Sequence, residues 1–432
     1  MPLSDVLHQD AAQVHLQRAL RAGRLPHAYL FTGPAGVGKE MLATRLAQVL
    51  LCGNAGVGAS ASSAAAHAAA PADADVPSSG GGLFADDAGP SLFGEDTPSL
   101  FGSETEDAAA AATAKPAPAD AGPVCPGKID ACGHCIDCTL FAAGNHPDYH
   151  RIHRMLAKAH PDSTVRGRKA TTLSVDVIRH FLLAPIGVRP SRGRAKVFVI
   201  VEAERLSDEA QNAMLKTLEE PPPRSYLILL AGSPDSMLAT TRSRCQQVSF
   251  GTLPREFIVE RLQTDRSLPA ESAAFLAEIS QGSVGMALKY AELGLHENVA
   301  LVAGAIGRAV TDPLGASKLL QDFAKELAAP LKQNQDDDEA DTNASRDAQV
   351  LILAMISTIL RDAQRRLVGA APLALGDHAL VARLAASADT SSLRGAIRAL
   401  SRAEYQVGRS VNTGLIFDAA AIALSRAVPA PM

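Results

Sequence analysis

Three short runs of apolar residues in the first 250 positions have the pattern of buried β-strands. They lie at residues 28–31, 197–201 and 226–230, where aliphatic and aromatic side chains follow one another without polar alternation. Strands that are buried on both faces have this pattern. Apolar residues at helical spacing follow the first run at 39–51 and the second at 208–220. Strands that alternate with helices predict a parallel α/β sheet.

The second of these helices has clear boundaries. Ser207 precedes it as an N-cap, and acidic residues lie in its first turn. Three prolines at 221–223 end it, because proline lacks an amide hydrogen and clashes with the preceding turn. After about Pro254, helical periodicity dominates and no clear strand follows. The predicted fold is therefore an α/β core followed by all-α regions.

Two segments contain too few apolar residues to form a core. Residues 53–124 are rich in Ala, Gly, Ser, Pro and Asp, with ten acidic residues and one lysine, which predicts a disordered acidic insertion. Residues 333–346 contain a second acidic stretch and predict a disordered loop between helices.

Within the insertion a Leu-Phe unit recurs at 83–84, 92–93 and 100–101. Repeat slippage in a tolerant linker explains this recurrence. The alternative is a linear motif that docks Leu-Phe into an apolar pocket of a partner.

Charge is unevenly distributed along the chain. The net charge is −5, whereas the insertion alone carries −9, so the remaining residues sum to about +4. This mildly basic remainder permits contact with nucleic acid.

The 47% of apolar residues exclude a wholly disordered chain, and no apolar run reaches the ~18 residues of a membrane-spanning helix. Without a visible secretory signal, and with only six cysteines, a reduced cytoplasmic setting is expected.

The segment after the first predicted strand matches a phosphate-binding loop. Gly33, Gly36, Gly38 and Lys39 fit the first seven positions of G-x-x-x-x-G-K-[ST], between a strand and a helix. Glycines let backbone amides face a phosphate, the helix N-terminus adds a favourable field, and Lys39 would reach the outer phosphates. The pattern predicts the architecture of a nucleotide site.

Two residues that normally hold magnesium are missing from this motif. The eighth position is Glu40 instead of Ser or Thr, and Val201 takes the position of the aspartate that ends the next buried strand. At ~4 Å and an effective dielectric near 20, repulsion between the Glu40 carboxylate and one phosphate charge is about 4 kcal/mol. ATP binding is therefore weakened rather than forbidden, and hydrolysis by the chain itself is not expected.

A cysteine cluster has the spacing of a metal site. Cys132, Cys135 and Cys138 form C-x2-C-x2-C, and Zn²⁺ prefers four ligands in a tetrahedron. Cys52 and Cys125 both remain candidates for the fourth ligand. A redox pair is the alternative for any C-x-x-C, but the third cysteine in register favours a structural zinc module at 125–145.

Basic residues follow the third predicted strand, and others lie in two predicted loops. Arg244 is most simply a surface ion-pair donor, but beside a phosphate loop it can reach a neighbouring subunit's nucleotide as an arginine finger. Cys245 is expected to be a small buried residue. The groups at 166–169 and 192–194 are expected to be solvated loops, with nucleic-acid phosphate contacts as the alternative.

Five stretches together resemble a known family. They are HAYLFTGPAGVGK (27–39), CGHCIDC with HPDYH downstream (132–150), KVFVIVEAERLSDEAQNAMLKTLEEPPP (196–223), SRC (243–245) and GSVGMAL (282–288). With helical regions in matching order, the chain resembles the delta-prime subunits of bacterial DNA polymerase III clamp loaders, which are AAA+ proteins. The resemblance covers nearly everything outside the insertion, and the LKTLEEPP string next to SRC is specific to clamp-loader subunits.

The resemblance implies an AAA+ core with a RecA-like parallel sheet at 1–250, a helical lid at 251–295 and a helical collar at 296–432 that holds a hetero-pentameric ring. The implied partners are the ATPase motor subunits, the delta subunit, the sliding clamp and primer-template DNA, without a membrane. Arg244 would be the arginine finger toward an adjacent ATP-bound subunit. The family's first zinc cysteine maps to Cys52, with Cys125 as a local rival.

In hydrolysing subunits of this family the lid carries an arginine in a G-S-x-R motif, and here Gly285 takes its place. Together with Glu40 and Val201, this glycine predicts a non-catalytic stator that completes a neighbour's site. The stator would belong to the DNA polymerase III holoenzyme, a DNA-directed DNA polymerase and hence a nucleotidyltransferase complex. The alternatives are an ATP-hydrolysing motor subunit and a zinc-dependent nucleic-acid module on an AAA+ scaffold. In this setting the Leu-Phe repeats would contact the sliding clamp weakly.

Overall fold

The apolar runs of the N-terminal region form the centre of a parallel sheet. The computed structural model describes residues 3, 6–54, 130–168, 170–192, 194–332, 338–376, 378–407, 409 and 412–427. The strands within these residues are β1 (Ala28–Thr32), β2 (Tyr149–Ile152), β3 (Lys196–Ile200), β4 (Ser225–Ala231) and β5 (Gln246–Ser249). Their order across the sheet is β2-β3-β4-β1-β5, and all neighbouring strands are parallel.

The three central strands are buried on both faces, as their continuous apolar sequences predict. Leu30 of β1 pairs with Leu229 of β4, and Phe198 of β3 pairs with Leu227. One apolar cluster, which includes Phe31, packs on one face of the sheet, and a second cluster, which includes Phe198, packs on the other. Helices cover both faces, so these strands need no polar alternation.

Helices surround this sheet and continue to the end of the described chain. The two helices predicted within the core are confirmed, and Ser207 Oγ accepts a hydrogen bond from the Ala210 amide as the predicted N-cap. In chain order the helices are α1 (Asp10–Arg21), α2 (Lys39–Leu51), α3 (Ile136–Ala142), α4 (Ser163–Arg166), α5 (Val175–Ile178), α6 (Ala184–Ile186), α7 (Asp208–Glu219), α8 (Ala239–Arg242), α9 (Arg255–Arg266), α10 (Ala270–Ile279), α11 (Val284–Glu292), α12 (Val299–Ala309), α13 (Pro313–Lys332), α14 (Asp338–Leu367), α15 (Ala379–Ser387), α16 (Thr390–Val407) and α17 (Thr413–Ala427).

The predicted parallel α/β core, with a phosphate-loop segment and followed by helices, is confirmed. The described residues after β5 contain only helices and connections. The apolar side chains of this helical region form one cluster that extends from Leu253 to Ala427. The division of the region into a lid at 251–295 and a collar at 296–432 therefore stays a prediction.

One predicted loop is wrong in part. Residues 333–346 were expected to be disordered because of their acidic composition, but α14 begins at Asp338. The cause is that α14 is anchored in the core by Ala348 and Ile352, and acidic residues such as Asp338 and Glu339 are favourable in the first turn of a helix. Residues 333–337 lie outside the described residues, as do 55–124 with their Leu-Phe repeats.

The sheet order creates a crevice at the carboxyl ends of β1 and β4. The chain leaves β1 toward the β2 edge, whereas it leaves β4 toward the β5 edge. Ligands of open α/β sheets bind where the connections diverge in this way. The segment with phosphate-loop spacing lies at this point, between β1 and α2. Among the described helices, none combines the length and apolar character needed to cross a bilayer.

Candidate functional site

The phosphate-loop sequence adopts a loop that wraps the N-terminus of α2. Gly33, Gly36 and Gly38 have φ values of +146°, +71° and +106°, which residues other than glycine rarely adopt. Gly38 is the N-cap of α2, and its carbonyl accepts a hydrogen bond from the Leu42 amide. The first-turn amides of α2 therefore face the crevice, which is the arrangement that binds a phosphate.

Lys39 lies against the loop from which it extends. Its Nζ donates to the carbonyl oxygens of Gly33 and Pro34, the latter at 2.6 Å. Burial lowers the pKa of Lys39, and the carboxylate of Glu204 opposes that shift. The ammonium is thus at the position from which it can reach a polyphosphate.

The positions that lack magnesium ligands lie at the same crevice. Glu40 is in the first turn of α2, and its Oε1 accepts from Nε of Arg151 on β2 at 2.6 Å. Val201 directly follows β3 and lines the cavity beside the loop. Glu202, the next residue, forms an ion pair with Arg154 at 3.2 Å. The two positions that supply magnesium ligands in P-loop proteins, a hydroxyl and an aspartate, are therefore taken here by the ion-paired Glu40 and by Val201.

The N-terminus of α11 packs directly on the phosphate loop. The Gly285 amide donates to the Gly36 carbonyl at 3.0 Å, and Ser283 Oγ donates to the Ala35 carbonyl at 2.7 Å. A Cβ atom at Gly285 would lie 2.8 Å from Gly36 Cα. Gly285, which the resemblance aligns with an arginine of hydrolysing subunits, is therefore in direct backbone contact with the phosphate loop.

A cavity of about 550 Å³ opens beside the loop. Its polar wall contains Lys39, Glu40 and Glu204, and its apolar wall includes Leu7, Leu253, Phe257, Val284 and Leu288. This volume is within the range of small-molecule sites. Arg244 is not among the residues that line it.

Four cysteines converge at the start of α3. The sulfurs of Cys52, Cys132, Cys135 and Cys138 all lie within 4.8 Å of one another, and those of Cys52 and Cys135 are 3.8 Å apart. Zinc–sulfur bonds of about 2.3 Å give a tetrahedron with edges of about 3.8 Å. The cluster therefore has the ligand type and spacing to bind a metal ion. Cys125, the rival of Cys52, lies outside the described residues.

Backbone amides point at these sulfurs. The Cys135 amide donates to the Cys132 sulfur at 3.3 Å, and the Cys138 amide donates to the Cys135 sulfur at 3.5 Å. Hydrogen bonds from the backbone, with His134 contributing most, lower the pKa of Cys132 to about 6, whereas burial raises the pKa of Cys138 to about 12. A bound cation would favour the thiolate at every position.

The loop at 187–194 supports this cysteine module. Arg192 Nε donates to Asp137 Oδ1 at 2.7 Å, and Arg194 donates to the Cys52 carbonyl. Asp148 is fully buried and accepts from the amides of Ser191 and Arg192 at 2.7 and 2.8 Å. Arg192 is exposed, as the prediction of a solvated loop requires, and Arg194 is partly buried. Both cations also have partners across the fold that sequence distance hides.

Arg244 lies in the turn between α8 and β5. Its Nε donates to Glu219 Oε1 at 2.9 Å, and a second nitrogen contacts the same oxygen at 2.5 Å. The Arg244 side chain is 34% exposed and Glu219 is 50% exposed. Exposed ion pairs contribute about 0–1 kcal/mol, so the guanidinium can leave Glu219 at low cost. The neighbouring Cys245 is buried, as predicted.

Sequence reasoning missed Arg151 and Arg154. Each is an isolated arginine on or after an edge strand, and its acidic partner lies far away in the sequence, 111 residues from Arg151 and 48 from Arg154. The parallel pairing of β2 with β3, which brings Arg151 opposite Val199, was the missing information.

The core of the chain is similar to known subunits of DNA polymerase III. The family model described as DNA polymerase III, delta subunit, matches residues 8–73 and 120–254. The DNA polymerase III subunit delta' of Escherichia coli (strain K12) is 34% identical over 157 residues, which is 36% of this chain and 43% of that protein. The DNA polymerase III subunit tau of the same strain is 27% identical over 290 residues, covering 66% of this chain and 32% of that protein.

The coverage of these relatives is partial. In the aligned regions the chain spans 42–57% of the length of four delta' relatives. A DNA polymerase III gamma subunit-related protein from Thermotoga maritima msb8 superposes with a TM-score of 0.32 and 17% identity over 67% of this chain and 88% of that one. That superposition is too loose to support the fold, which rests on the strand order and the phosphate loop. The family model and the delta' relatives agree over the region that carries the loop, the cysteines and Arg244, and this region is therefore similar to the delta-type subunits of DNA polymerase III.

Proposed function

We propose that this chain is the non-hydrolysing, delta-prime-type subunit of a DNA polymerase III clamp loader. In this role it supplies Arg244 to the ATP site of a neighbouring motor subunit, so that the complex loads a sliding clamp on primer-template DNA. The observation that carries the proposal is the replacement of both magnesium-holding positions by Glu40 and Val201 at the chain's own phosphate loop. The cytoplasm is the expected location.

The position of Arg244 supports its role in trans. The guanidinium does not line the cavity of its own chain. It is held at the surface by the exposed Glu219 carboxylate and by hydrogen bonds to the Thr240 carbonyl and Ser243 Oγ. In P-loop systems an arginine from a neighbour stabilises the charge that develops on the transferred phosphoryl group. Replacing Glu219 by a phosphate would keep the guanidinium paired with an anion.

The four-cysteine cluster is proposed to hold a structural zinc ion. Cys52, Cys132, Cys135 and Cys138 would be its ligands, with no position left open for a substrate. The ion would supply a cross-link between the C-terminus of α2 and the start of α3, which fixes the module against the sheet.

Arg244→Ala tests the arginine-finger role in the assembled complex. We expect ring assembly to be preserved, because Arg244 is a surface residue, and the DNA-stimulated ATPase rate to fall severalfold. The loss at one site where the finger dominates is about 10³–10⁵, but the motor sites share the total rate, so the bulk effect is smaller. The measurement is steady-state phosphate release with clamp and primed DNA present.

Arg242→Ala is the matched control. It lies two residues earlier and also forms a surface ion pair, with Asp235 at 2.6 Å. Its ATPase rate should equal that of the unmodified complex. Normal ATPase in the Arg244→Ala complex would contradict the role of Arg244.

The tau-type relatives favour a second candidate, an ATP-hydrolysing motor subunit. The purified full chain separates the two functions, because a motor subunit turns over ATP by itself. Sustained phosphate release that disappears in Lys39→Ala would establish the motor function and exclude the stator.

A further inference from the structure

Two of the three carboxylates that line the phosphate-loop cavity form ion pairs with arginines of the same chain. Glu40 pairs with Arg151 at 2.6 Å, and Glu202 pairs with Arg154 at 3.2 Å. Glu204 lies close enough to Lys39 to stabilise its charge. In hydrolysing P-loop proteins, by contrast, acidic and hydroxyl groups at these positions are directed to a magnesium ion.

The two arginines come from one place in the fold. Arg151 is on β2, the edge strand next to β3, and Arg154 begins the 3₁₀ turn that follows it. From there the pair reaches across the end of β3 to the first turn of α2 and to Glu202. Their positive charge offsets these two glutamates, so neither carboxylate needs a divalent cation for neutralisation.

The rest of the cavity suits a nucleoside polyphosphate. The loop amides and Lys39 provide the anion-binding end, with glycine conformations that leave the amides facing the crevice. Leu7, Phe257 and Leu288 provide an apolar end on which a base can pack. The volume of about 550 Å³ is sufficient for a ligand of that class.

We propose that this phosphate loop binds a nucleoside di- or triphosphate without a divalent metal ion. The Glu40–Arg151 ion pair stands where hydrolysing relatives of the motif place a hydroxyl and its magnesium. The bound nucleotide is a structural ligand that ties the loop to α11 and the N-terminal segment. This proposal is independent of the role of Arg244, since it concerns the chain alone.

The first experiment is a calorimetric titration of the purified full chain with ADP, once in excess EDTA and once in excess Mg²⁺. We expect saturable binding in EDTA, with an affinity within about threefold of that in Mg²⁺ or stronger than it. Absence of binding in EDTA, or an affinity at least tenfold stronger with Mg²⁺, would overturn the proposal.

The second experiment removes the arginine and then its partner. Arg151→Ala leaves the Glu40 carboxylate uncompensated near the phosphates, and we expect ADP affinity in EDTA to fall at least tenfold. The double variant Arg151→Ala with Glu40→Gln removes both charges and should return to within about threefold of the parent chain. Both side chains are nearly half exposed, at 46% and 44%, so neither change should unfold the protein.

Arg168→Ala is the matched control, because Arg168 forms a similar exposed pair with Asp176 at 3.0 Å. Its affinity for ADP should be unchanged. Unchanged affinity in Arg151→Ala, or an equal fall in the control, would show that the Glu40–Arg151 pair has no specific role. If Arg151→Ala fails to fold by circular dichroism, Glu40→Gln decides the question: it should tighten ADP binding in EDTA, and a weaker affinity would overturn the proposal.

Discussion

Gly285, the second residue of α11, has no side chain at the point where the lid backbone meets the phosphate loop. A Cβ atom there would lie 2.8 Å from Gly36 Cα, and both contact atoms belong to backbone that cannot rotate away. The same position carries the arginine of hydrolysing subunits in the resembling family. Regaining that arginine would therefore require the lid to move as well as the side chain to change.

Gly285→Ala should lower the free energy of unfolding by about 1–3 kcal/mol, the usual cost of forcing an extra methyl into a packed contact. The loss of the Gly285–Gly36 hydrogen bond contributes to this cost. Urea denaturation of the full chain measures the change.

Gly304→Ala is the control, since Gly304 lies in α12 and a Cβ atom there meets nothing within 4 Å. It should be neutral or stabilise the chain by about 0.4–1 kcal/mol, because alanine favours helix. A neutral or stabilising effect at Gly285 as well would contradict the close packing of lid and loop.

Individual site residues differ in how far the sequence reveals them. Lys39 and the loop glycines are predictable because a short segment contains the whole motif, and Cys132, Cys135 and Cys138 are predictable for the same reason. Arg151 and Gly285 acquire their roles only from partners brought close by tertiary folding. A pattern within one segment carries no information on such partners.

Among the elements, strand prediction succeeded in the centre of the sheet and failed at its edges. The central strands have apolar sequences because helices cover both faces. The edge strands β2 and β5 contain polar residues such as His150 and Gln246, and their short sequences lack a continuous apolar run. Solvent contact at the edges permits these residues, so their strand character depends on pairing with β3 and β1.

We expect the cysteine module formed by Cys52, α3 and the 187–194 loop to depend on the proposed zinc ion. Cys135→Ser removes one of four thiols, and we expect the zinc content of the purified chain to fall from about one ion per chain to near zero after dialysis against a chelator. The remaining three thiols cannot complete a tetrahedron, so the ion is lost to the competitor. Elemental analysis gives the content directly.

Cys245→Ser controls for the general effect of replacing a buried cysteine. Cys245 is buried near the end of α8 and is not part of the cluster. It should retain zinc at the level of the parent chain. Retention of zinc by Cys135→Ser would show that the cluster does not use this ligand.

At the scale of the whole molecule, apolar contacts join the helices after β5 into one packed body. Phe275 of the proposed lid and Phe417 of the proposed collar belong to the same apolar cluster and are both fully buried. Two polar contacts also join the regions: Glu278 pairs with Arg361 at 3.9 Å, and Arg255 donates to the Leu373 carbonyl. Such a shared core suits the stator role proposed above, because the subunit would hold its shape while its neighbours hydrolyse ATP.

Phe417→Ala tests this continuity. Removing a fully buried phenylalanine lowers the free energy of unfolding by about 3–5 kcal/mol, and this destabilisation should extend through the shared core. We therefore expect amide hydrogen exchange to accelerate in α10 of the lid as well as in α17, because one cooperative unit opens as a whole. Ile422→Ala, on the same helix but 40% exposed, should change exchange in neither. If α17 accelerates while α10 keeps its protection, the lid and the collar open separately, and the rigidity proposed for the stator would have to arise from the assembled ring instead of from this chain.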